Sequence, residues 1–486
     1  MSRSWVNSAE RIGADLHLVL AGTGSRRAAL AQALREAIQE GRLAAGVRLP
    51  PYRSLAADLG IARNTAADAY AELVAEGWLT ARQGSGTSVA ERAAPARAVR
   101  APVGTPTGPA APAHNLAQGR PDASSFPRTA WATSTRRALT AAPHDAFGPG
   151  DPQGRIELRT ALADYLARVR GVRTSPERIV ICAGFSDALR LLFGGGVLRG
   201  PLAVEAYGLA FHRALLSAEG VRTVPLGMDG LGTRTEELRG RRDVRSVLLT
   251  PAHQFPVGGP LSAARRGAAV DWARARGGVV IEDDYDGEFR YDREPIGAVQ
   301  ALDPDHVLYV GSAAKSVSPA LRLGWMVLPE RLVAAVLAAK GLRERWTGVV
   351  DQLTFADLIA SGAYDRHVRQ MRQRYRDRRG RLVAALAEHA PHIEVTGIAA
   401  GLHAVLRLPP GTEGAAVDAA SLLGLGLDGL AGFRHPDTAE APFDGLVVGY
   451  AAPPDHAYAA ALDALCKILP PVQRRASSRC QTGLSK

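Results

Sequence analysis

The chain has 486 residues, of which 46% are hydrophobic and 22% are charged, and its net charge is +11. This length allows two or three domains that each bury a core. No apolar run approaches ~20 residues and the N-terminus lacks the apolar core of a signal peptide, so we expect a cytoplasmic protein without a membrane span. The three cysteines are far apart, which excludes a disulfide framework or a CxxC metal site, and we expect no metal. The positive charge favours a polyanionic partner without identifying it.

The first segment with regular patterning predicts three helices and a hairpin. A helical face begins at Arg26 and carries Leu30, Leu34 and Ile38. A shorter helix is predicted at 53–59, and a third from about residue 63 to the glycine at 77. Two short strands then flank a glycine-rich tip in the sequence WLTARQGSGTSVA. This order predicts a winged helix-turn-helix domain, which we place at residues 16–92.

In a winged helix-turn-helix domain, the third helix enters the major groove of DNA with its N-terminal residues leading. Those residues are Arg63, Asn64 and Thr65, whose side chains can reach phosphates and base edges. The wing tip at Gly84 and Ser85 carries almost no side chain, so it can approach the DNA backbone closely. The alternative is a three-helix module that binds another protein.

The run LPPYRSLAADLGIARNTAADAYAELVAEGWLTARQGSGTSVA resembles the DNA-binding domain of the GntR superfamily. Ala62 departs from the pattern, because the superfamily usually has serine or threonine there, and this change removes an N-cap and a phosphate donor. The resemblance implies that five positions contact a double-stranded DNA operator: Arg53, Arg63, Asn64, Thr65 and Gly84.

Residues 93–114 are rich in alanine, proline and glycine and carry too few large apolar side chains to pack. Prolines stiffen such a segment toward extended conformations, so we predict a linker. The basic tail at residues 471–486 is predicted to be disordered.

The large remaining part, which we place at residues 115–470, alternates apolar strand-like runs with helical segments. Strands are predicted at 179–182, 202–205, 221–226, 244–250, 279–281 and 307–310. Helices are predicted between them, for example at 159–169, 188–193 and 262–276. This alternation predicts an α/β domain with a mostly parallel sheet, whose ligands bind at the C-terminal ends of the strands.

The stretch YVGSAAKSVSPALRLGW, at 309–325, holds a lysine between small residues and apolar segments. Desolvation there would lower the pKa of the Lys315 amine and make it a nucleophile toward aldehydes. Ser312 and Arg322 could clamp a phosphate group. Together these features suggest pyridoxal phosphate, whereas the stretch taken alone is more typical of a surface lysine in a glycine-bounded loop.

Other polar residues follow other predicted strands. The turn at Gly184 opens a helix and could bind an anion, or it could be an ordinary strand-to-helix turn. Tyr207 could lie against a flat cofactor or simply pack. Asp283 could pair with a pyridine nitrogen and Tyr285 with the ring's 3-oxygen. A magnesium acid pair is a poor alternative, because the chain contains no G-x-x-x-x-G-K-[ST] loop.

This order of turn, aromatic, Asp–Tyr and Ser–Lys–Arg is that of fold type I aminotransferases. Over residues 26–470 the chain resembles the MocR subfamily of GntR-type transcription regulators, in which a winged helix is fused to an aminotransferase-like domain. The blocks GDPQGRIELRTALADYLARVRGV, TPAHQFPVGGPLS, IEDDYDGEFRYD and GSAAKSVSPALRLGW match the subfamily in its order.

The resemblance implies a role for each of these positions. Lys315 would form the Schiff base, the internal aldimine, with pyridoxal phosphate, Asp283 would hold the pyridine nitrogen and Tyr285 the 3-oxygen. Tyr207 would stack on the ring, and Gln254 would line the site. The phosphate would be held by Ser312, Arg322, Gly184, Phe185 and Ser186.

Several positions depart from the aminotransferase pattern. Pro149 replaces a tyrosine that reaches the partner subunit's phosphate, and Ala183 and Ala314 replace serines near the phosphate. The carboxylate-binding arginine expected in the last strand is missing from GLVVGY, at 445–450, and Arg434 is the nearest substitute. This absence favours a sensor over an ordinary aminotransferase.

We therefore predict a pyridoxal-phosphate-dependent transcription regulator that senses an amine, or pyridoxal phosphate itself, through the Lys315 aldimine. The subfamily implies a head-to-tail homodimer. One alternative is a working aminotransferase with a secondary DNA-binding domain. Another is a DNA-binding protein whose large domain has lost its cofactor.

Overall fold

The computed structural model describes residue 20 and residues 25–82, 86–91, 112–148, 150–291, 296–341 and 346–471. The chain divides into two compact units, Met1–Ala110 and Ala111–Lys486. The division falls inside the predicted linker, and the exact domain limits stay predictions. Within the described ranges, no helix combines the length and apolar character that crossing a bilayer requires.

The first unit contains the predicted three helices and hairpin. Leu30, Leu34 and Ile38 are fully buried on one face of the first helix, and each such side chain stabilises the fold by about 1.5–3 kcal/mol. The third helix begins after Ala62 without a side-chain cap, as the sequence predicts. The elements are α1 (Arg26–Gln39), α2 (Tyr52–Asp58), α3 (Arg63–Ala75), β1 (Leu79–Arg82) and β2 (Gly86–Val89).

The second unit alternates helices and strands. Its helices are α4 (Arg128–Ala141), α5 (Ile156–Arg170), α6 (Phe185–Leu189), α7 (Ala210–Ala218), α8 (Ala263–Arg276), α9 (Glu330–Gly341), α10 (Val349–Ala360), α11 (Ala363–His389), α12 (Glu413–Leu422) and α13 (Asp455–Ile468). Its strands are β3 (His114–Asn115), β4 (Ile179–Cys182), β5 (Leu202–Glu205), β6 (Thr223–Leu226), β7 (Met228–Asp229), β8 (Gly232–Thr233), β9 (Ser246–Leu249), β10 (Val279–Asp283), β11 (Val307–Ser312), β12 (Gly324–Val327), β13 (Glu394–Thr396), β14 (His403–Arg407), β15 (Leu425–Gly426), β16 (Asp428–Gly429) and β17 (Gly445–Gly449).

The largest sheet has seven strands in the order β4-β12-β11-β10-β9-β5-β6. The neighbouring pairs from β11 to β6 are parallel, whereas β12 runs antiparallel to both of its neighbours. The predicted α/β class with a mostly parallel sheet is confirmed. Strand β12 is not predicted from the sequence, because its four residues follow the lysine loop directly.

A smaller antiparallel sheet, in the order β13-β14-β17-β16, packs with α11, α12 and α13 around a second apolar core. Strand β3 pairs with β15, so the chain enters the second unit along this smaller part. The helix predicted at 188–193 begins earlier, at Phe185, and continues from Arg190 to Gly194 as a wider π-helical turn.

A buried ion pair fixes the loop that follows β10. Arg170, at the end of α5, donates from Nε to Asp284 Oδ2 at 2.6 Å and from Nη2 to Oδ1 at 3.0 Å. The Tyr309 hydroxyl donates to the same carboxylate at 2.7 Å. The guanidinium of Arg170 and the carboxylate of Asp284 are shielded from water. Their mutual hydrogen bonds replace those that water would make, so loss of either partner would leave the other charge buried without compensation.

Replacement of Arg170 by methionine should lower the free energy of unfolding by about 3–5 kcal/mol, because it leaves a buried carboxylate without its cation. Arg168→Met is the matched control on the same helix, since Arg168 forms an exposed pair with Asp365, and its cost should stay below about 1 kcal/mol. Urea unfolding followed by circular dichroism measures both. Equal losses in the two variants would contradict the account.

Candidate functional site

A cavity of about 280 Å³ lies where β4, β5, β10 and β11 end. These strands are parallel to one another, so their C-terminal ends meet at one edge of the sheet. Residues far apart in sequence therefore line one space. They include nine of the residues predicted to bind the cofactor: Gly184, Phe185, Ser186, Tyr207, Asp283, Tyr285, Ser312, Lys315 and Arg322.

The Lys315 amine is held by a backbone carbonyl. Its Nζ donates to the carbonyl oxygen of Gly119, in the segment between β3 and α4. Gly119 has a φ of +69°, and a Cβ there would lie 3.1 Å from Nζ. Burial lowers the pKa of Lys315, while the carboxylates of Asp283 and Asp286 oppose that shift. A larger share of this amine is therefore neutral, and nucleophilic, than for a lysine in water.

Asp283 is the last residue of β10 and lines the same cavity. Among the described residues, its carboxylate has no hydrogen-bond partner. Burial raises its pKa well above the usual value, the neighbouring Asp284 raises it further, and Lys315 opposes both. A cationic group placed in the cavity would favour the ionised carboxylate.

Two aromatic hydroxyls differ in their surroundings. The Tyr285 Oη lies 2.9 Å from Nδ1 of His253. The Tyr207 hydroxyl is buried and has no partner in the described part of the chain. The Tyr207 ring packs with its centroid 5.8 Å from that of Phe443. Both tyrosines line the cavity.

Serine and arginine side chains occupy the end of the cavity next to the Gly184 turn. Arg322 has a φ of +48°, the one left-handed backbone conformation of a non-glycine residue within the described ranges. Its exposed guanidinium has no ion-pair partner there, and Ser312 likewise makes no side-chain hydrogen bond. Gly324 must be small, because its Cβ would lie 2.7 Å from the Cα of Gly184. A non-glycine residue in this conformation is strained, and such residues are found more often at functional sites than elsewhere.

Gln254 and Arg434 are predicted to belong to the site but do not line the cavity. Gln254 is buried, and its side-chain nitrogen donates to the carbonyl oxygens of Tyr207 at 3.1 Å and Phe255 at 2.7 Å. These hydrogen bonds stabilise the loop that follows β9. The next residue, Phe255, lines the cavity. Arg434 donates to the carbonyl oxygens of Thr438 and Glu440 and does not line the cavity, so this position does not support an effector contact.

Several cavity residues are not predicted from the sequence. His212 and Arg213 lie on α7, where a helical pattern carries no sign of a site. Burial, and secondarily Lys315, lowers the pKa of His212 to about 4, so its imidazole is neutral near pH 7. Arg213 donates to the carbonyl oxygens of Gly208 and Phe433 at 2.7 and 3.1 Å and ties two cavity loops together.

In the first unit, the described residues that are predicted to contact DNA lie at least partly at the surface. Arg53, Arg63 and Asn64 are exposed, and Thr65 is half-buried. None of the arginines among them has a carboxylate partner within the described ranges. By contrast, Arg35 pairs with Glu72 and Glu76 toward the other end of α3. Gly84 and Ser85 lie outside the described residues.

Two further arginines lie beside the hairpin. Arg48 and Arg82 are exposed and have no carboxylate partner in the described part of the chain. A Cβ at Gly86, which has a φ of +80°, would lie 2.9 Å from Nε of Arg48. The close approach places this guanidinium against the wing, a contact that no local sequence pattern predicts.

Comparison with known proteins assigns both units. Residues 26–89 match the bacterial regulatory proteins of the gntR family, and residues 112–423 match the class I and II aminotransferases. The pyridoxine biosynthesis transcriptional regulator PdxR of Corynebacterium glutamicum is 31% identical over 388 residues, which cover 78% of this chain and 82% of PdxR.

The MocR protein of Rhizobium meliloti, named a probable rhizopine catabolism regulatory protein, is 31% identical over 405 residues, covering 79% of this chain and 82% of MocR. The crystal structure of the multiple substrate aminotransferase of Thermococcus profundus superposes with a TM-score of 0.65, at 24% identity, over 73% of this chain and 90% of that one. This likeness shows the fold. The chain therefore belongs to the MocR subfamily of GntR-type transcription regulators, in which a winged helix-turn-helix domain is joined to an aminotransferase-like domain.

Proposed function

We propose that this regulator binds operator DNA through its winged helix and senses an amine, or pyridoxal phosphate itself, at Lys315. The observation that carries the proposal is the meeting of three groups in one cavity. These are a buried lysine amine with a lowered pKa, the unpartnered carboxylate of Asp283 and the unpartnered guanidinium of Arg322.

These groups fit pyridoxal phosphate. When bound, this cofactor supplies an aldehyde that joins covalently to amines and a ring that withdraws electrons. Arg322, Ser312 and the turn from Gly184 to Ser186 supply cationic and hydroxyl groups for its phosphate. Asp283 supplies a carboxylate for its ring nitrogen. Ala183 and Ala314 reduce the number of hydroxyls on the phosphate side, so we expect modest affinity.

Lys315 supplies the amine. Because burial lowers its pKa, loss of its proton occurs at a lower pH than in water, and a larger share of the nitrogen is neutral and available for bond formation at a given pH. The neighbouring His212 is neutral near pH 7 and does not add a second positive charge beside it. The low polarity of the site keeps the amine poised for an aldehyde.

The last strand of the smaller sheet favours a sensor over an aminotransferase. All five residues of β17 are buried, and none is an arginine that could bind a substrate carboxylate. Arg434 is turned toward backbone carbonyls, and Arg213 uses its terminal nitrogens to join two loops. An amine could still react at Lys315, since that step needs no carboxylate contact.

The segment at 112–122 offers a route from the cavity toward the linker. Its β3 strand pairs with β15, its Gly119 carbonyl accepts the hydrogen bond of Lys315, and Asp122 accepts one from Arg374 at 2.6 Å. A change in the bonding of Lys315 removes one of these three attachments. We propose that the segment then shifts and alters the presentation of the winged helix, provided that the effector binds one arrangement more tightly.

Three exposed apolar side chains on neighbouring segments of the second unit support the proposal of a homodimer. Phe147, Ile156 and Trp346 are each exposed by 44–49%. The Trp346 ring lies 2.9 Å from where a Cβ of Gly150 would be, so the two chain segments that carry these side chains are adjacent. Clustered apolar surface of this kind is typical of subunit interfaces. We propose that a second copy of the chain, arranged head to tail, covers it.

A second candidate function is a working aminotransferase, which the complete set of Lys315, Asp283 and Tyr285 favours. Sustained conversion of an amino acid and a keto acid by the purified protein would establish it. We expect at most a slow single turnover, because no arginine of β17 is available for the substrate carboxylate. The measurement is product formation per mole of protein over time.

Pyridoxal phosphate should give the wild-type protein a visible absorption band that Lys315→Ala lacks, because the substitution removes the attacking amine. As the pH falls, the band should form more slowly, since the amine becomes protonated below its lowered pKa. Spectrophotometric titration with the cofactor measures both effects.

Lys467→Ala is the control for this titration, because Lys467 is an exposed lysine outside the cavity. It should keep the band. The cofactor claim is wrong if wild type and Lys315→Ala give the same spectrum.

Arg63→Ala should weaken DNA binding about 10-fold or more and reduce the slope of log affinity against log salt by about 1, because it removes one phosphate or base contact. The probe is a duplex selected by the wild-type protein from a random library. Fluorescence anisotropy at several salt concentrations measures the affinity and the slope.

Arg35→Ala serves as the control for DNA binding, since its guanidinium is already neutralised by Glu72 and Glu76. We expect a salt slope close to that of wild type. Equal losses for the two variants would argue against the proposed DNA-binding face.

A further inference from the structure

A buried imidazole and carboxylate lie behind Tyr285. Nδ1 of His253 is 2.7 Å from Oδ2 of Asp286 and 2.9 Å from Oη of Tyr285. The exposed fractions of the His253 and Asp286 side chains are 3% and 2%. The His253 and Tyr285 rings are nearly parallel, with 24° between their planes. One nitrogen atom thus faces two oxygen atoms in a space shielded from water.

Two glycines leave space for the side chains of His253 and Asp286. Gly401 has a φ of +74°, and a Cβ there would lie 2.5 Å from Cε1 of His253 and even closer to Asp286. Gly258 has a φ of +88°, and its Cβ would lie 3.5 Å from Nε2 of His253. Loops after β9 and β10 and the turn before β14 therefore meet around the imidazole, and both glycines are needed where they stand.

The bonding capacity of Nδ1 decides where the protons lie. An imidazole nitrogen carries either one proton or one lone pair, so it cannot donate to Asp286 and accept from Tyr285 at once. A carboxylate is a stronger hydrogen-bond acceptor than a phenol oxygen. We therefore assign the Nδ1 proton to the bond with Asp286, where the imidazole competes with Tyr285 for the carboxylate, so that the Tyr285 hydroxyl is available to an acceptor in the cavity that it lines.

We propose that His253 and Asp286 are a positioning pair, which holds the Tyr285 hydroxyl as a hydrogen-bond donor to an oxygen of the ligand at Lys315. The inference deepens the proposed function and rests on it. Without the imidazole, the carboxylate of Asp286 would be left without its N–H donor and would accept the tyrosine proton instead. The hydroxyl would then be lost to the ligand.

The charged surroundings of Tyr285 are consistent with this role. Burial raises its pKa well above the usual value, with further contributions from the charges of Asp286, Asp283 and Glu205 and from the Asp286 side chain as a hydrogen-bond partner within reach, so the hydroxyl stays protonated over the working pH range. Burial also raises the pKa of Glu205 to about 7.

Two basic side chains complete these surroundings. The ring of His403 lies 5.4 Å from that of His253, and burial lowers the pKa of His403 to about 3, so it is neutral. Burial likewise lowers the pKa of Lys315, which lines the same cavity as Tyr285. Lys315 is present in all the spectra compared below, and His403 is present in all of them except its own control variant, so their titration does not distinguish the test variants.

The test uses the full-length protein loaded with pyridoxal phosphate and follows its visible band against pH. A hydroxyl donor stabilises the anionic form of an oxygen beside it, so its loss makes the bound ligand keep a proton to higher pH. His253→Gln, which removes the Nδ1 donor, should raise the pH midpoint by about one unit, as should Tyr285→Phe. The double variant should show no further shift, because both changes remove the same donor.

His403→Gln is the matched control, since it removes a neighbouring buried imidazole whose Nε2 bonds to the Pro256 carbonyl and not to Tyr285. Its midpoint should equal that of wild type. Additive shifts of His253→Gln and Tyr285→Phe, or no shift in His253→Gln, would overturn the inference while leaving the proposed function intact. A wild-type protein without any Lys315-dependent band would overturn both.

If His253→Gln does not fold, Asp286→Asn replaces it. Removal of a negative charge lowers the midpoint by itself, so the informative quantity is the difference between its effects with tyrosine and with phenylalanine at position 285. The positioning role predicts unequal effects in the two backgrounds. Equal effects would mean that Asp286 changes the midpoint only through its charge and not through Tyr285, which would overturn the inference.

Discussion

The site depends on the burial of one primary amine at the edge of a parallel sheet. Strands β10 and β11 end side by side, which brings Asp283 and the loop of Lys315 into the same cavity. Keeping an amine protonated in such a place costs free energy. Among the described residues, the carbonyl oxygen of Gly119 accepts its hydrogen bond. The unpartnered acidic and cationic side chains that line the same cavity could pair with a ligand that carries the opposite charges.

The same interaction connects the cavity with the chain that leads to the winged helix. Gly119 lies in the segment at 112–122, which is also attached through β3 and through Asp122. Since a covalent ligand and a hydrogen bond to Gly119 compete for the same nitrogen, the occupancy of the cavity and the anchoring of this segment are linked. The proposed sensing by the aminotransferase-like domain would use this linkage and would not require turnover.

Much of this organisation follows from local sequence patterns. The strands at 179–182 and 202–205 match their predicted limits, because each is a fully buried apolar run bounded by turn residues. Lys315, Asp283 and Arg322 were located because polar residues at strand ends stand out against such runs. The bond from Lys315 to Gly119 joins residues 196 positions apart, and no pattern in either segment predicts it. Gln254 and Phe255 show the same limit: the loop is predicted, but tertiary packing decides which side chain faces the cavity.

The most direct test of the central claim exploits the scarcity of lysine. The chain has four lysines, at positions 315, 340, 467 and 486. Borohydride reduction of the protein with bound pyridoxal phosphate, followed by proteolysis and mass spectrometry, identifies the residue that carries the cofactor. The account predicts one phosphopyridoxyl group per chain, on Lys315. Labelling confined to Lys467 and Lys486, with an unmodified Lys315 peptide, would contradict it.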